Sequence, residues 1–292
     1  MSDSKVTNEL KNIIPDTKYY LTNDEVNTLT TKYGISTEQL IIELIDVVKV
    51  RAKCVTSKCY VGAIGVGRQT KNFYFGVNLE FSGQTLAQSV HAEQFLIALA
   101  HCKGEEGIEL ISVSHFPCGH CRQFLNELYQ SDKIKILLPN EQLQYSLSDL
   151  LPYAFNLGTG YLLSFSSVNK LKLKIESTED PLVHCAFKFA LNSYAPYSNS
   201  PSSVGIQLDT GEMFAGAYLE SVAYNPSLPP LQVALVHLIA NGKEYEQIKR
   251  VILLELESSY GCPSQFYSTF ALLRSIAPNV TLETYELSVL NN

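Results

Sequence analysis

The sequence predicts an α/β protein with a three-layer α/β/α fold that occurs twice, after a small helical N-terminal region. Three observations predict this architecture. Residues 1–48 have helical patterning, residues 60–138 give the element order β-β-α-β-α-β, and similar elements return after residue 180. Strands and helices in this order form one sheet with helices packed on it.

The N-terminal region is predicted to be helical and amphipathic. In its last helix, apolar residues recur at spacings of three and four residues, which places them on one helix face. They are Ile41, Ile42, Leu44, Ile45 and Val48.

The first half continues with a predicted hairpin, two helices and two further strands. Its hairpin strands are rich in aromatic and β-branched residues, and Thr85 and Gln88 have capping-box spacing at the start of the first helix. In chain order these elements are strands at 60–66 and 73–81, a helix at 85–101, a strand at 108–114, a helix at 119–130 and a strand at 134–138.

The second half is predicted to repeat this pattern after a linker at 158–180. Its elements are a helix at 181–194, a hairpin at 204–208 and 213–219, a helix at 231–239 and a strand at 251–256. Two segment pairs support a divergent repeat: Val61-Gly62-Ala63-Ile64 with Val204-Gly205-Ile206-Gln207, and 75–80 with 215–220. Two unrelated hairpins with similar propensities are the alternative.

Charge and composition restrict the function classes. The net charge is −7, and a protein that grips polyanions usually carries a basic surface, so a nucleic-acid polymer is not an expected partner. No apolar run approaches the roughly 20 residues of a membrane span, and the first ten residues lack signal-peptide character. We therefore expect no membrane partner and a cytoplasmic location. Seven irregularly spaced cysteines then favour metal binding or free thiols over disulfides.

A metal site is predicted from two short segments. Cys118 and Cys121, three residues apart at a predicted helix start, can direct both sulfurs to one ion, and His91 supplies a third ligand. Three protein ligands leave a tetrahedral position open, as in catalytic zinc sites. Glu93, two residues from His91, is then the candidate general acid and base. The pattern H-x-E followed by P-C-x-x-C is the signature of zinc deaminases.

A structural zinc is the alternative interpretation of this cluster. Such a site would usually show a fourth Cys or His at metal spacing. His115 and His120 are the nearby candidates, and each is expected to form a local hydrogen bond instead.

The chain resembles the cytidine deaminase family, in the longer duplicated form known from plants and some bacteria. The resemblance covers most of residues 50–292. It is carried by the segments 75–81, 91–94, 117–124, 148–155, 193–198, 220–226 and 229–232, which include His91-Ala92-Glu93-Gln94 and Pro117-Cys118-Gly119-His120-Cys121. It implies a duplicated deaminase fold that acts as a homodimer on nucleosides, deaminating cytidine and deoxycytidine in pyrimidine salvage.

The resemblance also implies roles for individual residues. His91, Cys118 and Cys121 would hold Zn²⁺, and Glu93 would shuttle protons. Asn78 and Glu80, two apart on a strand and so on one face, would hydrogen-bond the ribose hydroxyls; a polar strand end without a ligand is the alternative. Phe155 would lie against the pyrimidine ring, and ordinary core packing is its alternative.

The sequence departs from the family pattern in two places near the expected substrate. Cys59 stands where the family usually has an aromatic residue of the base pocket, and Asn156-Leu157 replaces a frequent Gly-Pro. Tyr60 is not an automatic replacement for that aromatic residue, because neighbouring strand residues face opposite sides. Because these departures lie near the expected substrate, we expect them to affect how the substrate fits.

The second half has lost the metal-binding residues. The segment matching 91–94 is Pro229-Pro230-Leu231-Gln232, and its late cysteine is Cys262. The predicted domains are a helical region 1–48, a catalytic zinc domain 49–157, a linker 158–180 and a degenerate copy without metal 181–292. The resemblance implies that this copy helps to close the active site of a dimer partner; a scaffold lobe is the alternative.

Two other functions remain as alternatives to nucleoside deamination. One is a catalytically silent, zinc-binding regulatory dimer, which Cys59 supports and the presence of Glu93 opposes. The other is a polynucleotide cytosine deaminase, which the acidic charge disfavours, as do Asn78 and Glu80, because these two suit a free ribose.

Overall fold

The computed structural model describes residues 4–139, 143–158, 160–164, 168–174, 179–257 and 263–290. The chain forms two compact units. The first comprises Met1–Glu80, Ser89–Ser164 and Ala240–Gly242, and the second comprises Phe81–Gln88, Phe165–Ile239 and Lys243–Asn292. No helix among the described residues is long and apolar enough to cross a membrane.

The first unit contains a six-stranded sheet with the strand order β1-β3-β2-β4-β5-β6. Strands β4 and β5 are parallel, and the other neighbours are antiparallel. Its elements are α1 (Lys5–Ile13), β1 (Tyr20–Leu21), α2 (Asn23–Tyr33), α3 (Thr37–Lys49), β2 (Gly62–Gly67), β3 (Phe73–Val77), α4 (Ala92–Cys102), β4 (Ile108–Val113), α5 (Gly119–Leu125), β5 (Lys135–Leu138), β6 (Leu143–Ser146) and α6 (Leu147–Leu150).

Helices α3 and α4 cover opposite faces of this sheet. A Cβ on Gly62 would meet the backbone of Lys49 in α3, whereas a Cβ on Gly65 would meet the Leu96 side chain in α4. These two glycines are three residues apart on β2, and side chains alternate between faces along a strand. The predicted three-layer α/β/α arrangement is therefore confirmed in the first unit.

The N-terminal helices begin at side-chain caps, and a buried arginine joins the segments that follow α1 and α3. Thr22 with Glu25, and Ser36 with Gln39, form capping boxes that start α2 and α3. The Arg51 side chain is only 2 % exposed, and its Nη1 donates to the carbonyl oxygen of Lys18 at 2.5 Å. This bond ties the segment between α1 and β1 to the end of α3.

The second unit contains a five-stranded sheet with the order β7-β11-β10-β8-β9. Strands β10 and β11 are parallel, and the other neighbours are antiparallel. Its elements are β7 (Leu171–Leu173), α7 (Pro181–Leu191), β8 (Ser203–Leu208), β9 (Met213–Ala217), α8 (Pro230–Ala240), β10 (Ile248–Leu256), α9 (Phe266–Ile276) and β11 (Leu282–Val289). A Cβ on Gly205 would meet α7 and one on Gly216 would meet α8, so this sheet is also covered on both faces.

The two units repeat one topology. The order β9-β8-β10-β11 matches β3-β2-β4-β5 with the same strand directions. In each unit a glycine lets a helix start approach the hairpin: Gly76 faces the carbonyl oxygen of Ala92, and Gly216 faces that of Pro230. The predicted duplication is confirmed.

The register of the repeat differs from the predicted one in the first hairpin strand. Ala63 pairs with Gly76, whereas Val204 pairs with Gly216. Ala63 therefore corresponds to Val204, and the predicted match of Val61 to Val204 is wrong by two residues. The Val-Gly pairs at 61–62 and 204–205 are therefore similar in composition but not in position. The register is fixed by Gly76 and Gly216, which pack against the helices.

Two predicted helices have different limits in the structure. Helix α4 begins at Ala92 and not at Thr85, because Val90 pairs with Leu79 and holds the chain extended; Leu86–Gln88 form only a 3₁₀ turn. Helix α5 ends at Leu125 and not near residue 130, because Tyr129 N donates to the carbonyl oxygen of Leu162 at 2.8 Å. Pairing with distant chain overrides local helix propensity in both places.

Several elements have no counterpart in the sequence prediction. The predicted linker contains β7, which pairs with β11, and the prediction also lacks β1, β6, β11, α6 and α9. Three of them, β1, β6 and β7, have two to four residues, which is too short to show alternation.

We expect acid to destabilise the second unit through one ion-pair network. The Arg250 guanidinium donates to Glu283 at 2.9 and 2.8 Å and to Asp180, the cap of α7, at 3.0 Å. Hydrogen bonds from Arg250 lower the pKa of Glu283; they also lower the pKa of Asp180, against an opposing effect of burial. Because the folded-state pKa values are depressed, this stability is present above the ordinary carboxyl pKa and is lost as pH falls through the folded values.

Replacing Arg250 with methionine should therefore lower the free energy of unfolding by about 1 kcal/mol at pH 7, since the groups are partly exposed. The difference from wild type should shrink towards pH 3 in urea unfolding. Lys243→Met, which removes an exposed pair with Glu212, is the control and should have a smaller effect. An Arg250→Met difference that is the same at both pH values would contradict this account.

Candidate active site

The first part of the site is the start of α4. His91 is the N-cap residue with extended backbone, and Glu93 lies in the first turn of the helix. The Gln94 side-chain oxygen accepts the His91 backbone N–H at 3.1 Å, which fixes the turn that carries both groups. The predicted neighbours His91 and Glu93 therefore sit on one rigid helix start.

The second part is the start of α5, which carries both cysteines. Cys118 is the N-cap residue and Cys121 lies in the first turn. His91 Nδ1 is 3.5 Å from Cys118 Sγ and 3.3 Å from Cys121 Sγ. Zinc–ligand bonds of about 2.0 Å to nitrogen and 2.3 Å to sulfur, at a tetrahedral angle, separate N and S by about 3.5 Å. The donor types and their spacing therefore fit zinc.

His120 is a fourth member of this group, which the sequence prediction had left as a local hydrogen-bonding residue. Its ligand atom lies within 4.8 Å of those of the other three, and its ring stacks on the His91 ring with centroids 4.7 Å apart. Its position next to Cys121 in the sequence is the signal that could have indicated this proximity. The structure thus places His120 beside the three predicted ligands.

The protons of this cluster are unevenly distributed between its side chains. Hydrogen bonds from Cys121 and His91 lower the pKa of Cys118 to about 3. The bond to Cys118 and burial raise the pKa of Cys121, and the bond to Cys118 raises the pKa of His91. The lowered pKa favours the thiolate form of Cys118, which is the form in which cysteine binds zinc. The N-terminus of α5 favours the same form.

Glu93 is the buried acid of the site. Only 4 % of the residue is exposed, and burial, with the charge of Cys118, raises the pKa of its carboxyl group. Its carboxyl group interacts with the Cys121 thiol. Because the raised pKa lets this carboxyl group hold a proton more readily than an exposed one, Glu93 can serve as a general acid and base beside the predicted metal ligands.

Asn78 and Glu80 follow β3 and contact one loop, residues 56–61. Asn78 Oδ1 accepts from Val61 N at 2.9 Å, and its Nδ2 donates to the carbonyl oxygen of Cys59 at 2.9 Å. Glu80 Oε2 accepts from the backbone N–H groups of residues 56 and 57 at 2.7 and 2.9 Å. Both side chains therefore hold the loop that carries Cys59 in place. The sequence does not indicate this role.

Phe155 lies in the loop after α6 and is 57 % exposed, so it does not form part of the core. Its carbonyl oxygen accepts from Gln123 Nε2 at 2.8 Å. Arg122 Nη1 donates to the carbonyl oxygen of Leu150 at 2.7 Å, and its Nε to that of Pro117 at 2.7 Å. Two side chains of α5, the helix with the cysteines, thus hold the Phe155 loop. The sequence alone indicates no role for either side chain.

The second unit offers no comparable cluster among its described residues. The single group of His, Cys, Asp and Glu side chains suited to a metal, within the described part of the chain, is the one at His91. The start of α8 has Pro230 and Leu231 where α4 has Ala92 and Glu93. Cys262, named in the sequence analysis, lies outside the described residues.

Comparisons with known proteins show what the chain is similar to. Two models of the cytidine and deoxycytidylate deaminase zinc-binding region match residues 36–137 and 147–261. The cytidine deaminase of Aeromonas hydrophila is 40 % identical over 266 residues, covering 90 % of this chain and 88 % of that protein. That of Histophilus somni is 42 % identical, covering 79 % and 75 %. A crystal structure of cytidine deaminase from Mycobacterium tuberculosis, 25 % identical, aligns with 41 % of this chain and 98 % of its own, at a TM-score of 0.37.

Proposed function

The chain belongs to the cytidine deaminase family, and on that premise we propose that it hydrolyses cytidine and deoxycytidine to uridine and deoxyuridine, releasing ammonia. The proposal rests on one observation. The side chains of His91, Cys118 and Cys121 form a set of ligands that suits zinc, and the buried acid Glu93 lies beside them. A structural zinc has no need of such an acid. Zinc is the cofactor, because both matching family models describe a zinc-binding region.

Glu93 is the residue that moves protons in the proposed reaction. When bound, zinc supplies the Lewis acidity that makes water nucleophilic near neutral pH. Glu93 takes a proton from the attacking water and gives it to ring N3 while the oxygen adds to C4. It then carries the remaining hydroxyl proton to the exocyclic amine, the C4–N bond breaks, and ammonia leaves. The balance is one water consumed and one ammonia formed.

We assign the sugar to Asn78 and Glu80 and one face of the base to Phe155. Glu80 is an acceptor for sugar hydroxyl groups, and the exposed Phe155 ring offers an apolar face for a pyrimidine. Support for the Phe155 assignment comes from its loop, which Gln123 ties to the helix that carries the cysteines. In this scheme Cys59, whose carbonyl oxygen accepts from Asn78 Nδ2, takes the place of an aromatic residue of the base pocket.

The proposal extends to the setting of the enzyme. We propose that the catalytic domain spans 49–157, that 181–292 is a copy without metal, and that the protein acts as a cytoplasmic homodimer in pyrimidine salvage. Light scattering of the purified protein tests the dimer, for which a mass near twice 32.5 kDa is expected.

The direct test is turnover by purified, zinc-loaded protein. Cytidine and deoxycytidine should both be converted, as followed by the ultraviolet change to the uracil nucleosides. Single-stranded DNA assayed in parallel should show no deamination that depends on ionic strength, which separates the nucleoside enzyme from a polynucleotide deaminase. Protein with stoichiometric zinc and no turnover on either nucleoside would overturn the proposal and favour the silent regulatory dimer.

A further inference from the structure

Ser57 binds the side chain that we assign to the sugar. Its hydroxyl group donates to Glu80 Oε1, while the backbone N–H groups of Thr56 and Ser57 donate to Glu80 Oε2. The same hydroxyl oxygen accepts the Cys59 N–H at 3.0 Å. Ser57 thus joins the Glu80 carboxylate to the loop that begins the base pocket.

The second unit repeats this arrangement without a metal site. Glu220 accepts from Tyr197 N at 2.8 Å, from Ser198 N at 3.2 Å and from the Ser198 hydroxyl group, and Ser200 N donates back to Ser198 Oγ at 3.1 Å. Even the left-handed residue after each serine recurs, with φ of 56° at Lys58 and 53° at Asn199. The serine–glutamate bond is therefore an inherited feature of the fold.

The two copies differ at the fourth acceptor position of the carboxylate. A carboxylate accepts about four hydrogen bonds, and three are filled in each unit. In the second unit the Tyr218 hydroxyl group interacts with Glu220, which is only 3 % exposed. In the first unit Asn78 takes the place of Tyr218 and turns its amide to the loop, so one acceptor position of Glu80 Oε1 is left for a ligand.

We propose that Ser57 is a positioning residue for nucleoside binding: its hydroxyl group orients Glu80 Oε1 so that the remaining acceptor position meets a sugar hydroxyl. This inference rests on the proposed function. Ser57 keeps the carboxylate from rotating about its terminal torsion, which is a soft one for glutamate. Without the serine hydroxyl, Glu80 keeps its two backbone donors but loses the fixed direction of Oε1, and Cys59 N loses its acceptor.

The experiment compares Ser57→Ala with its repeat counterpart Ser198→Ala. Both variants lose one hydroxyl bonded to a glutamate, and Ser198→Ala should lose at least as much in melting temperature, because Glu220 is only 3 % exposed. Ser57→Ala should raise the KM for cytidine about tenfold, the size of one charge-assisted hydrogen bond, with kcat within about twofold of wild type. Ser198→Ala should leave KM unchanged. Ser57→Thr, which keeps the hydroxyl group, should restore KM.

A sugar that lacks the 2′ and 3′ hydroxyl groups separates positioning from general damage. On 2′,3′-dideoxycytidine the Ser57→Ala loss in kcat/KM should fall below about twofold, because the interaction is already absent. Equal losses on both nucleosides, an equal rise of KM in Ser198→Ala, or a fall in kcat alone would overturn the positioning role. If Ser57→Ala is poorly folded by its melting curve, Ser57→Cys gives the same comparison with a weaker donor. Absence of wild-type turnover would contradict the proposed function itself.

Discussion

Replacing Glu93 with glutamine is expected to lower kcat for cytidine on the order of 10⁴-fold, the upper range for loss of a general acid and base. The amide has the shape of the carboxyl group, but it cannot carry a proton between water, N3 and the amine. Zinc should remain stoichiometric, since His91, Cys118 and Cys121 are unchanged. Because a carboxyl group that is 4 % exposed becomes neutral, the melting temperature should not fall. Turnover, zinc content and melting curves measure the three effects.

Glu106→Gln is the matched control, since it makes the same chemical change at an exposed carboxyl group of the same unit. It should leave kcat and zinc content at wild-type values. A Glu93→Gln protein with more than about a tenth of wild-type kcat would show that another group moves the protons. Loss of zinc together with activity would mean that Glu93 has a structural duty at the metal site.

The metal site could be predicted because its parts are local in the sequence. Cys118 and Cys121 are one helical turn apart, and His91 and Glu93 belong to one helix start, so spacing alone limits where their side chains point. Proximity of His120 follows from the same turn. Spacing could not show that the starts of α4 and α5 lie side by side. In the structure His91 Nδ1 is 3.5 and 3.3 Å from the two sulfurs.

The parts that escaped prediction depend on contacts between distant residues. Helix α4 starts at Ala92 because Val90 pairs with Leu79, and no local signal at Thr85 reports that pairing. In the same way, the two-residue error in the repeat arose because composition matched Val61 to Val204, whereas packing against helices sets the register. Tertiary contacts outweigh propensity at such boundaries.

Glu80 and its repeat counterpart Glu220 both bind a loop of their own unit. From sequence, Asn78 and Glu80 were expected to face a ribose; in the structure both already bind loop 56–61. Glu220 makes the same loop contacts in a unit that has no metal cluster among its described residues. Loop ordering is thus the role that both units share, and the sugar contact proposed above would use the acceptor position that Asn78 leaves open.

The largest structural effect is expected from Gly76→Ala. A Cβ at this position would lie 2.1 Å from the carbonyl oxygen of Ala92 and 2.8 Å from the backbone nitrogen of Leu96, and backbone cannot move aside as a flexible side chain can. Helix α4 must therefore shift away from β3, at a cost of roughly 3 kcal/mol in the free energy of unfolding. Since His91 and Glu93 lie on the first turn of that helix, the shift also separates them from the cysteines.

Gly216→Ala provides the control within the same chain, because its Cβ would lie 2.1 Å from the backbone nitrogen of Ala234 in α8. Both variants should unfold at lower urea concentration than wild type. Only Gly76→Ala should lose kcat, by about 10²-fold for a displacement near 1 Å, and bind zinc more weakly in a chelator competition at low temperature. If Gly76→Ala kept wild-type kcat and zinc affinity in its folded fraction, the close approach of β3 to α4 would not be what positions the site.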